Sequence, residues 1–137
     1  MDSIIVTRRA PSGANYYDAA GANLGKVVYS SGPNEVTLQT DPATATGAMP
    51  LGILVAADDD QNGGYVSVCI AGKCHALLNA AYTVGTSAQS LMADGTNSRC
   101  IAATDGNYRV GYYADKVNGV AGQLAEIIVA PGVIETT

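Results

Sequence analysis

Tyr65-Val66-Ser67-Val68-Cys69-Ile70-Ala71-Gly72 alternates apolar with small or polar side chains and follows Asn62-Gly63-Gly64. Alternation at period two behind a turn signal marks a strand, because successive side chains leave opposite faces of the chain. The same pattern recurs on both sides. Turn chemistry stands at Ser31-Gly32-Pro33-Asn34, Asp41-Pro42, Asp94-Gly95, Asp105-Gly106-Asn107, Asn118-Gly119 and Pro131-Gly132. The β-branched runs between these turns predict strands over 26–30, 35–39, 51–55, 65–70, 99–103, 108–113 and 123–129. Two stretches admit short helices: 73–84, free of Gly and Pro, and 87–93, with Ser87 as N-cap. The expected fold class is all-β, a compact antiparallel β-barrel or sandwich of short strands with at most one or two short helices.

The 137 residues suit one domain. The expected division is an N-terminal arm or first strand over 1–17 and a single β-rich domain over 18–137. All aromatic residues are tyrosine, 8 in number, with no Phe or Trp, so the core must be built from Ala, Val, Ile and Leu. A net charge of −5 argues against nucleic acid as a partner. Gly, Pro or charge interrupts every apolar run before the roughly 18 to 20 residues of a membrane span, so no membrane is expected. Asp2 precedes the first apolar run and Arg8-Arg9 follow it, the reverse of a secretory signal, so a cytoplasmic product is expected. Three cysteines, Cys69, Cys74 and Cys100, form no even disulfide set. The fold is therefore expected to depend on neither disulfide nor metal.

A weak internal repeat is visible. Leu51-Gly52-Ile53-Leu54-Val55 aligns with Val110-Gly111-Tyr112-Tyr113-Ala114 at an offset of 59 residues (111 − 52), and Tyr65 to Ala71 then falls on Leu124 to Ala130. Each copy reads as a glycine-led strand, a polar loop and a returning strand, which implies two similar hairpins packed face to face.

Catalytic material is sparse. His75 is the single histidine and adjoins Cys74, but neighbours on a strand diverge, so neither a cysteine nucleophile nor a zinc site is expected. If Ala71-Gly72 makes a two-residue turn, Cys69 and Cys74 face each other across a hairpin. Asp58-Asp59-Asp60-Gln61-Asn62-Gly63 copies the front of a calcium loop. Its twelfth position is Cys69 where a bidentate Glu is required, so a solvated turn is the reading. No phosphate-cradling glycine pattern occurs around Gly111, Gly119 and Gly122. The pairs Tyr16-Tyr17 and Tyr112-Tyr113 suit interfaces or, alternatively, a carbohydrate platform. No catalytic residue, metal or cofactor is assigned.

From Gly47-Ala48-Met49-Pro50-Leu51-Gly52-Ile53, through Tyr65 to Gly72, to Tyr108-Arg109-Val110-Gly111-Tyr112-Tyr113 and Ala125-Glu126-Ile127-Ile128-Val129, the chain resembles small phage capsid decoration proteins. The similarity covers roughly 47–132. It implies a non-catalytic cement protein of the virion exterior, made in the host bacterial cytoplasm, that sits on the assembled head as a homotrimer and clamps neighbouring major capsid subunits. The alternative is a phage fibre, spike or carbohydrate-binding β module.

Two surfaces follow as expectations. In Leu124-Ala125-Glu126-Ile127-Ile128-Val129, Ala125, Ile127 and Val129 form one apolar face, while Leu124 and Ile128 flank Glu126 on the other. That second face is too apolar for open water, so Leu124, Glu126 and Ile128, with Tyr112 and Tyr113, are expected at a subunit interface. At the N-terminus, Ile4-Ile5-Val6-Thr7-Arg8-Arg9 is β-prone, apolar and then basic. Ile4, Ile5, Val6, Arg8 and Arg9 are expected to contact the capsid by adding a strand to an exposed sheet edge, unless the segment is the first barrel strand.

Overall fold

The computed structural model describes residues 2–39, 49–60, 63–94, 96–104 and 107–133, with Val133 as backbone alone. Nine strands are described: β1 (Ile4–Arg9), β2 (Val27–Gly32), β3 (Glu35–Leu38), β4 (Pro50–Ala57), β5 (Tyr65–Leu77), β6 (Ser90–Ala93), β7 (Cys100–Ala102), β8 (Tyr108–Tyr113) and β9 (Leu124–Val133). The strands β1-β3-β2-β4-β5 close into a five-stranded barrel, because β1 pairs with β5 as well as with β3. The remaining strands continue from the far half of β5 as β5-β9-β8-β6-β7. Among the nine described strands, pairing is antiparallel except at β1 and β3, which meet in parallel at Arg9 and Glu35. All-β architecture is as expected.

The 13-residue β5 belongs to both units. Val66 and Val68 point into the barrel, whereas Cys69 points outward into a second core. Beyond Gly72 the parity reverses, so that Ala76 and Cys74 face that second core. Gly72 makes the reversal possible. Its φ is +85°, and a β-carbon there would lie 2.3 Å from the carbonyl oxygen of Asp2.

Consecutive residues are therefore buried on opposite sides of the barrel wall. Val28, Leu54 and Val68 fill the barrel with Val36, Val66 and Ala10. Their neighbours Val27, Ile53 and Cys69 meet Leu78, Leu91, Val110, Ile127 and others from the second sheet. A strand buried on both faces reads as a continuous apolar run, which explains Val27-Val28, Ile53-Leu54 and Val68-Cys69.

Three expectations are corrected. Ala71-Gly72 makes no hairpin turn, since β5 runs through it, and Cys69 and Cys74 share one strand. Residues 73–84 are not helical: Lys73 to Leu77 pair with β9, Leu78 bridges Cys100 and Tyr82 bridges Gly119. Nor is 87–93, because Ser90–Ala93 is β6 and the Ser87 hydroxyl accepts from the Thr83 N–H at 3.0 Å, closing a turn behind it. Nonlocal partners supplied by β9, β7 and β8 outweigh local helix propensity in both stretches. No helix occurs among the described residues.

The two repeat copies occupy matching places. β4 and β5 form one antiparallel pair, and β8 and β9 form the other. Pro131 sits inside β9 where Arg109↔Gly132 gives way to Gly111↔Val129, an irregularity that lets a strand carry a proline.

Candidate functional site

The N-terminal segment is a wall of the barrel. Ile5 through Arg9 pair along β5 from Cys69 to Tyr65, and the half-buried Val6 packs on the barrel core. Ile4 and Ile5 remain 55% and 56% exposed. Ile4 and Val6 therefore differ in environment. The Arg9 guanidinium lies 5.3 Å from the ring centre of Tyr65, and its Nε donates to the Gly63 carbonyl at 3.3 Å. Arg8 donates to the carbonyl of Thr7 at 2.9 Å.

On β9, Ala125, Ile127 and Val129 are buried, while Glu126 and Ile128 are half-buried and Leu124 is 53% exposed. Glu126 pairs with Lys73 of β5 at 2.9 Å. Tyr112 lies opposite Ile128 and carries the Arg109 guanidinium 4.6 Å from its ring centre. Tyr113 is different. It is 4% exposed, its ring stacks on Tyr82 with centroids 3.7 Å apart, and its hydroxyl donates to the Val117 carbonyl at 2.7 Å. Its ring thus belongs to the chain's own core. Composition had no way to point to Tyr82, the partner that removes it from the surface.

The other tyrosine pair is split as well. The Tyr16 hydroxyl accepts from the Leu38 N–H at 3.2 Å, and burial raises its phenol above the ordinary range. Tyr17 stays exposed. Both side chains still border one hollow beside β4.

The cysteines lie around the second core. Cys69 and Cys100 are buried and Cys74 is half-buried against them. Burial pushes the Cys100 thiol up to about 12 and raises Cys74 further, with Cys69 beside it adding to the shift. Such thiols stay protonated and are poor nucleophiles. His75 faces outward, away from Cys74. Among the described residues no group of three or more His, Cys, Asp or Glu is placed to hold a metal ion. The described part of the acidic stretch makes a turn: the Asp58 N–H donates to Tyr65 at 2.9 Å, and Asp59 accepts from the Asn15 side chain at 3.0 Å. Gln61 and Asn62 lie outside the described residues.

What the surface does offer is hollows along β4. One of about 190 Å³ is lined by Tyr17, Asp18, Leu24, Val55, Ala56 and Ala57, among others. A second, of about 300 Å³, shares Ala56 and Ala57 and adds Thr7, Asp58, Tyr65 and Ser67. A third, of about 260 Å³, shares Leu24 and Val55 and reaches His75 and Leu124. No residue named for the capsid contact lines them, and Leu124 alone of those named for the subunit interface does. Sequence reading passed over this surface because it is assembled from segments distant along the chain.

No family model matches the sequence, and no curated protein does. The fold itself has a solved counterpart. The chain is similar to the N base of the head fibre protein gp8.5 of bacteriophage phi29, with a TM-score of 0.58, and the match covers 94% of this chain and 95% of that one. At 17% identity the likeness is one of fold.

Proposed function

We propose that this chain is a non-catalytic structural module of a phage head exterior and that it serves as the base of a head fibre. The observation that carries the reading is the end-to-end match to a head-fibre base, with 94% of one chain covered by 95% of the other. That match favours a fibre base over the cement role that the decoration-protein resemblance suggested. The surface is consistent with binding rather than turnover, since burial holds the Cys74 and Cys100 thiols protonated and the hollows along β4 are lined largely by apolar and small side chains.

In this reading the major capsid protein is the partner, and the base self-associates, as a trimer by the decoration-protein resemblance. The exposed Leu124 and the half-buried Ile128 and Tyr112 supply apolar area for that contact. The test mixes the purified protein with phage heads lacking their fibre and images the product. Discrete attachment without any gain in the heat resistance of the heads supports a fibre base. Attachment that raises head stability returns the protein to the cement class, and absence of attachment removes both readings.

A further inference from the structure

The three hollows along β4 share residues in sequence order. Val55, Ala56 and Ala57 are each common to two neighbouring hollows; Val55 is half-buried against the second core, Ala56 is exposed, and Ala57 is half-buried against the barrel core. Three strand residues span about 10 Å. The floor is small, with Ala56 exposed, and the flanks are apolar: Tyr17 and Leu24 on one side, Tyr65 on the other, Leu124 at one end. These four large side chains are all exposed, and they lie around one channel rather than singly.

Among the described residues the charge lining the channel is acidic. Asp18 and Asp58 line it, and Asp59 is held beside it by Asn15. One cation, Arg9, stands at the Tyr65 flank and is held there by partners within the chain. Arg9 lies over Tyr65 and donates to Gly63, and Lys26 donates to the Asn23 side chain at 3.0 Å. His75 stands at the far end beside Leu124.

We infer that this channel docks an extended peptide segment that carries apolar side chains flanked by lysine or arginine. Small floor residues admit a backbone, the hollows on either side accept alternate apolar side chains, and the carboxylates select basic neighbours and reject acidic ones. Assigning the segment to a head protein rests on the fibre-base reading. The binding chemistry does not.

The test titrates the full chain into a fluorescein-labelled octapeptide alternating lysine with leucine, and into its counterpart alternating glutamate with leucine, reading anisotropy. The expected result is saturable binding of the basic peptide, weakened at least tenfold by 0.5 M salt, by Ala56→Arg and by Leu24→Lys. Val117→Arg, at a 67% exposed position that lines none of the three hollows, should leave it unchanged. Two variants are used so that misfolding of one still leaves a result. Equal binding of both peptides, or equal losses at Val117 and Ala56, overturns the inference. A change in sedimentation of Ala56→Arg with unaltered peptide affinity also overturns it, by showing that a second copy fills the channel. Head attachment is assayed in parallel. Wild-type protein that binds peptide but no heads overturns the fibre-base reading, whereas protein that binds heads but no peptide overturns the channel.

Discussion

Gly52 packs against the backbone of Cys69 so closely that a β-carbon on it would stand 2.0 Å from the Cys69 carbonyl oxygen. Gly111 repeats the approach on Ile128 at 2.2 Å, and Ile128 lies 59 residues after Cys69 just as Gly111 does after Gly52. Each glycine lets one strand of a pair press on its partner where backbone cannot yield. Gly52→Ala and Gly111→Ala should each therefore destabilise the fold by about 1–3 kcal/mol, the range for overpacking. Thermal unfolding checks this, and a melting temperature within a degree of wild type for either variant contradicts it.

Tyr113 contributes through its ring more than through its hydroxyl. Tyr113→Phe keeps the stack on Tyr82 and loses the bond to the Val117 carbonyl. Its expected loss is about 0.5–1.5 kcal/mol. Tyr113→Ala also empties a buried site, with an expected loss of about 3–5 kcal/mol. Equal losses in denaturant titrations of the two variants would show that the stack is idle.

Stability should fall in alkali in a way that Cys100 helps to set. Burial pushes the folded thiol up to about 12 from an ordinary value of 9.0. Between those values the unfolded chain releases the proton and the folded chain keeps it, so the stability contributed by the protonated thiol is complete below about pH 9 and declines as pH rises. The slope approaches about 1.4 kcal/mol per pH unit for one group. Cys100→Ala should flatten the dependence of melting temperature on pH between 9 and 11 relative to wild type. Parallel curves would count against this assignment.

Deleting residues 2–9 should wreck the barrel rather than release a soluble domain. β1 closes it, pairing with β5 over six residues and meeting β3 at Glu35. Without β1 the edge of β5 is open and the barrel core loses the cover of Val6. Aggregation or loss of the β-type circular dichroism spectrum is the expected outcome. A soluble truncation with the wild-type melting temperature would show that the strand is dispensable, as an arm would be.

Much of this architecture is local and was readable from residues alone. Turn residues such as Gly32-Pro33-Asn34 restrict the backbone whatever surrounds them, and β-branched runs such as Val27-Val28 prefer the pleated chain, so the strands at 35–38 and 108–113 fall where their composition puts them. The glycine-led repeat is legible for the same reason, because a close backbone approach demands the same residue twice. Tertiary structure decided the rest. Whether Gly72 turns the chain back or bends it onward depends on the strands it meets, and Asp2 and β9 meet it from positions far away in sequence. Lys73 to Leu77 become a strand because β9 offers a ladder, and Tyr113 leaves the surface because Tyr82 arrives beneath it. The channel on β4 belongs to this second kind. Tyr17, Leu24, Tyr65 and Leu124 are ordinary surface residues singly, and only closure of the barrel brings them, from segments distant along the chain, around the hollows of β4.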